Sequence, residues 1–246
     1  ILVAEFLNQQ ENRMQRDRFG AESITASANA RIGTSAIDPA AATVLRNTYR
    51  LLSMTLAFSA ITAAASAALS LPHPGIFITL AGYFGLLFLT SYLRNSAWGI
   101  VSVFGLTGFM GYTLGPIISL YLSLPGGSNI VLTAMGATAV VFLGLSVYAR
   151  SNAAPDMSRM GRFLMIGILT AFALGLAAYF LAMPALSLAV SAMFVLLMSG
   201  LIMYQTQAIV RGGESNYIMA TVTLFVALYN LFASLLQLLG FFGAEE

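Results

Sequence analysis

Long apolar stretches alternate with short polar breaks from Asn47 to the end of the chain. A helix crosses the roughly 30 Å hydrocarbon core of a bilayer with about 20 apolar residues. Each stretch is long enough for one crossing, and none shows the apolar–polar alternation of a barrel strand. The pattern therefore predicts an all-α membrane protein. Its seven transmembrane helices are expected over residues 48–70, 76–93, 98–122, 130–149, 162–182, 187–209 and 217–242.

The first 45 residues have a different character, because charged and small polar residues replace the apolar runs. Such a segment buries too little apolar surface to offset the entropy lost when a chain becomes ordered. The sequence therefore predicts two regions. Residues 1–45 are expected to form a flexible N-terminal tail, and residues 46–246 a seven-helix transmembrane domain.

Arginine placement predicts how the helices are oriented. When the breaks are counted alternately from the tail, every arginine falls on one side of the membrane or at its boundary. The other side carries His73, Glu245 and Glu246. Because positive loops stay in the cytoplasm, the tail is expected to be cytoplasmic. An odd number of helices then places the C-terminus outside.

Composition agrees with a lipid environment and narrows the function classes. The 246 residues are 59% hydrophobic and 8% charged, whereas soluble domains carry about 25% charged residues. A net charge of +2 without a basic groove does not indicate nucleic-acid binding. The chain has no cysteine, no lysine and a single histidine, His73, which we interpret as a solvated turn residue. The residues needed for a metal site or for a catalytic Ser–His or Ser–Lys dyad are therefore missing. No enzyme activity or cofactor is predicted.

Polar side chains inside the last two predicted helices are the main candidates for a functional site. Lipid offers them no hydrogen bonds, so each needs a partner inside the bundle. Interhelical hydrogen bonding and a polar pathway are both open interpretations. No acidic residue lies inside a predicted span, which weighs against a proton or cation pathway. The candidates are Tyr204, Gln205, Thr206, Gln207, Tyr229, Asn230 and Gln237.

Small residues predict close helix packing in two places. The third helix has glycines spaced by three and four residues, followed by a proline that could instead kink the helix for gating. These residues are Gly105, Gly108, Gly111, Gly115 and Pro116. The first helix has an alanine face that we also expect to pack. It consists of Ala57, Ala60, Ala64, Ala67 and Ala68.

Arg46 and Arg50 flank the entrance of the first helix. Arginine side chains with apolar stems in lipid and charged heads in water commonly anchor a helix at the interface. An ion pair across the cytoplasmic face is the alternative interpretation.

Several separate stretches, in the right order, resemble the Bax inhibitor family of membrane proteins. The resemblance covers roughly residues 43–243 and leaves residues 1–42 unmatched. Within the family, the opening stretches look closest to the bacterial YccA branch. The matching stretches are residues 44–49 (VLRNTY), 55–63 (TLAFSAITA), 107–116 (TGFMGYTLGP), 204–207 (YQTQ), 212–217 (GGESNY) and 224–232 (LFVALYNLF).

The resemblance implies a seven-helix bundle in the bacterial inner membrane. The family is associated with calcium or proton leak controlled by two intramembrane aspartates. At the matching positions this chain has Gln205 and Ala227. Two carboxylates sharing a site can form a pH switch, whereas glutamine and alanine do not titrate.

The YccA branch is linked to the membrane-anchored AAA+ protease FtsH, as its substrate and modulator. The resemblance therefore implies a protein that binds FtsH and its membrane-associated complex. The predicted tail would give a pulling protease an end to grip, since 45 residues at roughly 3.3 Å each extend over 100 Å. The alternative is a leak channel with an altered pair, in which Tyr204, Gln205, Thr206 and Asn230 line the route.

Overall fold

The computed structural model describes residues 38–151 and 153–243. Every helix in this part of the chain is long and apolar enough to cross a membrane. The predicted all-α architecture of seven membrane-spanning helices is confirmed. The helices are α1 (Pro39–Ala68), α2 (Ile76–Leu93), α3 (Trp98–Leu122), α4 (Gly127–Tyr148), α5 (Met160–Phe180), α6 (Pro184–Val210) and α7 (Tyr217–Phe242).

Helix α1 begins at Pro39 rather than at residue 48, so residues 39–45 are helical and do not belong to a tail. The Asp38 carboxylate accepts a hydrogen bond from the Ala40 backbone N–H at 2.9 Å, and proline fits the first helical position. Leu45 is buried, which secures this first part of the helix against its neighbours. The rest of the predicted tail, residues 1–37, lies outside the described residues.

The other helix bounds differ little from the prediction. Helices α2, α3 and α7 begin and end at the predicted residues. Helices α4, α5 and α6 each begin two or three residues earlier than predicted, at Gly127, Met160 and Pro184. Their first turns contain glycine or proline, which sequence reasoning assigns to breaks.

The connections collect at two ends of the bundle, because the helices run alternately in opposite directions. At one end the Asn216 side chain donates to the Arg94 carbonyl at 3.1 Å and so joins the α6–α7 and α2–α3 loops. At the other end the Tyr112 hydroxyl donates to the Pro72 carbonyl at 2.9 Å. All arginines of the described residues lie at the first end, which we call the arginine-bearing end. They are Arg46, Arg50, Arg94, Arg150, Arg159, Arg162 and Arg211.

The seam between α1 and α3 depends on glycines. A Cβ at Gly115 would lie 2.6 Å from the Ser66 Cβ, and one at Gly111 would meet the Ser59 carbonyl. Pro116 cannot donate the hydrogen bond that the Tyr112 carbonyl would receive in a regular helix. The Ser66 hydroxyl donates to that carbonyl instead, at 3.0 Å, so the proline is accommodated by the same seam.

The predicted alanine face of α1 does not form this seam. Ala57, Ala60, Ala64 and Ala68 are exposed. The buried face carries Thr55, Ser59, Ala63 and Ser66. Hydroxyl side chains can be buried here because they bond to helix carbonyls, as Thr55 does with the Leu52 carbonyl at 2.9 Å. Within this chain, small hydroxyl residues thus form the contact, because they pack as closely as alanine, and packing of the alanine face stays a prediction.

Candidate functional site

The structure divides most of the predicted polar residues among three places, and Tyr204 and Gln237 lie apart from them. Gln207 belongs to the first, at the arginine-bearing end, and fastens the loop between α4 and α5. Its side chain accepts a hydrogen bond from the Met157 backbone N–H at 3.0 Å. It also donates to the Pro155 carbonyl at 2.8 Å. Gln207 therefore holds the loop across the end of α6.

An ion pair closes the same loop from outside. The Arg211 guanidinium donates to the exposed Asp156 carboxylate. The Ser158 backbone N–H donates to that carboxylate at 3.0 Å. This bond, with the Ser158 hydroxyl and Arg211, holds the pKa of the Asp156 carboxyl below its ordinary value of 3.8. Because both partners are well exposed, the ion pair itself stabilises the loop only slightly.

Gln205 and Thr206 belong to the second place, deeper inside α6. Both are buried, and the Gln205 Nε2 and Thr206 Oγ1 atoms find no hydrogen-bond partner among the described residues. Three further buried side-chain atoms in the part of the chain that the structure describes also have no hydrogen-bond partner there. They are Thr48 Oγ1 and Tyr49 Oη on α1 and Ser146 Oγ on α4. We call these five residues the unpaired polar cluster.

Helix packing brings the members on α1 and α6 to one level. Leu45 of α1 packs against Ile209 of α6 and Ala220 of α7. Because α1 and α6 run in opposite directions, one turn further inward leads to residues 48–49 and 205–206. The unpaired polar cluster therefore lies just inside the arginine-bearing end.

Arg150 links Ser146, the member of the cluster on α4, to Tyr49 on α1. The Arg150 guanidinium lies over the Tyr49 ring, 5.5 Å from its centroid, and its Nε donates to the Ser146 carbonyl at 2.9 Å. The Tyr49 ring also packs against Phe142, with centroids 5.8 Å apart. Arg46 and Arg50, in contrast, are exposed on α1.

A group of buried apolar side chains follows the unpaired polar cluster inward, and on α6 Ile202 and Met198 lie about one and two turns beyond Gln205. We call it the central apolar layer. Ala227, which the resemblance predicts at the second position of the aspartate pair, is fully buried in the core cluster that contains this layer. The layer consists of Leu106, Met198, Ile202, Val222 and Phe225.

Tyr229 and Asn230 belong to the third place, beyond the central apolar layer. The Tyr229 and Thr113 hydroxyls are 3.2 Å apart and form a hydrogen bond. Both residues line a cavity of about 260 Å³ between α2, α3, α5, α6 and α7, the second cavity. Asn230 lines it too, and its Nδ2 donates to the Val226 carbonyl at 2.8 Å.

A larger cavity of about 550 Å³, the first cavity, adjoins it towards the opposite end. The two cavities share Leu80, Phe172, Phe194 and Asn230 as lining residues. In the first cavity Gln237 joins two serines of α6. Ser191 donates to its Oε1 at 2.6 Å, and its Nε2 donates to the Ser187 Oγ at 2.6 Å.

The remaining predicted residues have packing or turn positions. Tyr204 is half-buried, and a Cβ at Gly161 would lie 2.7 Å from its hydroxyl, so the two helices meet closely there. A Cβ at Gly105 would have its nearest contact at 3.7 Å, whereas one at Gly108 would meet the Phe58 ring at 2.6 Å. His73 is exposed, and its Nδ1 accepts from the Gly75 N–H at 3.1 Å.

Sequence reasoning missed several residues at these sites. They are Thr48, Ser146, Ser187, Ser191 and Thr113, all small hydroxyl residues in apolar helices. Such residues usually bond to their own helix and give no periodic signal. Among the described residues, no group of three or more His, Cys, Asp or Glu side chains could hold a metal ion.

The chain matches a known protein family over most of its length. The sequence model described as "Inhibitor of apoptosis-promoting Bax1" matches residues 41–244. The chain belongs to the Bax inhibitor family. Members of this family that resemble it include an uncharacterized protein of Pseudomonas aeruginosa, 52% identical over 203 residues, which are 82% of this chain and 91% of the relative.

Two Escherichia coli relatives carry informative names. "Modulator of FtsH protease YccA" of strain K12 is 53% identical over 198 residues, covering 80% of this chain and 90% of the relative. "Inner membrane protein YccA" of strain CFT073 matches to the same extent. With seven spanning helices in the part that the structure describes, this Bax inhibitor family member is a multi-pass inner-membrane protein.

Proposed function

We propose that this chain binds the membrane AAA+ protease FtsH, modulates it and is also its substrate. The observation that carries the proposal is the 53% identity to the relative named as a modulator of that protease. The identity extends over 198 residues, so it covers the bundle rather than one motif. The proposed role is non-enzymatic.

The bundle interior supports a binding role over a conducting role. Gln205 and Ala227 occupy the positions of the family's aspartate pair, and neither titrates. On α6, the fully buried Ile202 of the central apolar layer lies between Gln205 and Met198, which lines the second cavity. An ion crossing this layer would lose its hydration without gaining a charged partner, which is costly.

The same packing would make the bundle a slow substrate. Large side chains from three helices are fully buried together, including Leu106, Ile202, Phe225 and Leu231. A helix that is pulled out of the membrane into water exposes its apolar side chains, at about 1.5–3 kcal/mol for each large one. A substrate that resists extraction occupies the protease and restrains its action on other clients.

We further propose that the arginine-bearing end faces the cytoplasm, in accordance with the positive-inside rule. Helix α1 begins at this end, at Pro39. Residues 1–37 then precede the bundle on the cytoplasmic side, where they would provide the segment that the protease engages. The family match begins at residue 41, and the relatives' matches cover up to 83% of the chain.

The direct test uses proteoliposomes that contain purified FtsH, ATP and a fluorescent membrane client. Adding the full chain should slow client degradation and should lead to slow loss of the chain itself. A chain that starts at Asp38 should still slow the client while being degraded more slowly. An unrelated seven-helix protein at the same concentration is the control for crowding. Unchanged client degradation with the full chain would refute modulation.

The same experiment also tests whether the chain is a substrate of FtsH. If the chain that starts at Asp38 is degraded as fast as the full chain, residues 1–37 are not the engaged segment. If the client slows but neither chain is degraded, the chain is a modulator without being a substrate. Detergent pull-down of the tagged chain from its native membrane should recover FtsH, and recovery of the chain alone would count against binding.

A calcium or proton leak is the second candidate, and the two adjoining cavities are the observation that favours it. They extend from the opposite end as far as Leu201 of α6, which is one helical turn from Gln205. Liposomes with the purified chain and a calcium or pH dye would show a flux above empty liposomes if the layer opens. A flux that Gln205→Leu leaves unchanged would exclude the route through Gln205.

A further inference from the structure

The first cavity combines hydrogen-bonding groups with an uncharged lining. Among the described residues that line it, none is Asp, Glu, Lys, Arg or His. Its polar side chains are Tyr179, Ser187, Ser191, Asn230, Ser234 and Gln237. A volume of about 550 Å³ lies within the range of roughly 300–1,000 Å³ that is usual for small-molecule sites. The lining therefore suits an uncharged ligand with several hydrogen-bonding atoms.

The polar groups keep free bonding capacity towards the cavity. Gln237 uses one N–H and one oxygen lone pair in its bonds with the two serines, and each group can make a further bond. The Ser187 hydroxyl accepts from Gln237 and has its own proton to donate. These three side chains form a preformed binding surface for hydroxyl or ester oxygens.

The second cavity continues the first with an apolar interior. Aromatic rings form much of its lining, together with Met198 and Leu201. Its hydroxyl groups on Tyr229 and Thr113 bond to each other. Gln237 and Met198 are separated by at least two helical turns, because Gln237 aligns with residues 187–191 of α6. At 1.5 Å per residue, the path from Ser187 to Met198 is about 16 Å. This length suits an extended alkyl chain.

Helices α2 and α5 border both cavities on the lipid side. They meet through Phe77 and Phe180, whose ring centroids are 6.3 Å apart, and through Phe84 and Phe172, at 5.8 Å. Phe77 and Phe180 are 73% and 60% exposed. Helix α2 is the most peripheral, with Thr90 as its only buried residue among those described. Phe84 and Phe172 line the second cavity, and Phe84 is 37% exposed, so this contact lies between the cavity and the bilayer.

We propose that the two cavities bind an uncharged single-chain membrane amphiphile of the monoacylglycerol type. Its glycerol hydroxyls and ester bond to Gln237, Ser187 and Ser191. Its chain passes Phe172 and Phe194 into the second cavity. This site is separate from the proposed FtsH interaction and does not depend on it.

The test uses the full chain in phosphatidylcholine nanodiscs with a monoacylglycerol whose acyl chain carries a diazirine. After illumination, mass spectrometry locates the labelled peptides. Labelling is expected on the α6 and α7 residues that line the second cavity. Gln237→Leu should lower it about fivefold, the factor expected for one or two lost hydrogen bonds. Ala233→Phe, which fills the first cavity, should abolish it.

The matched control is Ser199→Ala on α6. The Ser199 hydroxyl bonds to the Val195 carbonyl at 2.7 Å, and Ser199 lines neither cavity. Labelling of this variant should equal that of the parent chain, and thermal unfolding should show that all three variants are folded. Labelling that Ala233→Phe leaves unchanged, or that occurs only on lipid-facing residues, would overturn the proposal. Competition by excess aqueous glycerol, but not by unlabelled monoacylglycerol, would indicate a water-soluble ligand and would also overturn it.

Discussion

At the arginine-bearing end, buried atoms of Gln205 and Thr206 find no partner within the described ranges 38–151 and 153–243. At the opposite end, Gln237 bonds to Ser187 and Ser191 beside a cavity. Glutamine and small hydroxyl side chains are thus enclosed and unpaired in the unpaired polar cluster, and paired beside a cavity at the opposite end. Polar residues in a membrane helix therefore do not indicate a pathway by themselves. Their bonding and their access decide what they do.

The largest effect is expected at the α1–α3 seam, which holds the opposite end together. Gly115→Ala places a Cβ 2.6 Å from Ser66 and 2.7 Å from the Ala63 carbonyl. Because the backbone cannot give way easily, the free energy of unfolding should fall by about 3 kcal/mol, near the top of the range for an overpacked core. Gly105→Ala is the matched control, with its nearest contact at 3.7 Å, and should change little. Thermal unfolding in detergent measures both, and equal melting temperatures would contradict the seam.

The next effect concerns the loop at the arginine-bearing end. Gln207→Leu removes both hydrogen bonds to residues 155–157, which should destabilise the closed loop by about 2 kcal/mol. Hydrogen exchange of the Met157 amide should accelerate, while exchange in the α2–α3 loop should stay unchanged. Unaltered exchange at Met157 would show that Gln207 does not fasten the loop.

The same substitution at the two ends should act in opposite directions. Gln205→Leu removes a buried amide without a bonded partner and should raise the free energy of unfolding by about 1 kcal/mol. Gln237→Leu removes two hydrogen bonds and should lower it by about 1 kcal/mol. Denaturant unfolding of the two variants in one detergent measures the difference. Shifts of the same sign would contradict the contrast between the ends.

The smallest effect is a pH dependence of the loop. The pKa of Asp156 is lowered in the folded state, so its contribution is present above the ordinary value of 3.8 and is lost as pH falls through the lower, folded value. Exchange of the Ser158 amide, corrected for its intrinsic rate, should rise only below pH 3.8. Asp156→Asn should remove this dependence. A transition near neutral pH would assign it to another group.

Much of the fold follows from the sequence because lipid leaves few alternatives for long apolar runs. The bounds of α2, α3 and α7 coincide with proline, glycine and asparagine breaks. The start of α1 was misplaced because Arg46 and Arg50 look like a helix boundary. Both side chains are exposed on the helix surface, so the helix continues past them to Pro39.

The site was predicted less completely, because neighbouring residues on a helix point about 100° apart. Gln205, Thr206 and Gln207 look alike in the sequence, yet Gln207 fastens a loop and the other two face inward. The pairing of Gln237 with two serines depends on how α6 aligns with α7. That alignment is set by tertiary packing and leaves no local signal.

Cysteine labelling tests the contrast between the ends most directly, because the chain has no cysteine of its own. Ser191 and Thr206 are 4% and 0% exposed, but only Ser191 lines the first cavity. In lipid-free detergent, a small methanethiosulfonate reagent should modify Ser191→Cys at least about tenfold faster than Thr206→Cys, since the latter must wait for local opening. Equal rates, or faster reaction at residue 206, would contradict a closed arginine-bearing end and an open opposite end.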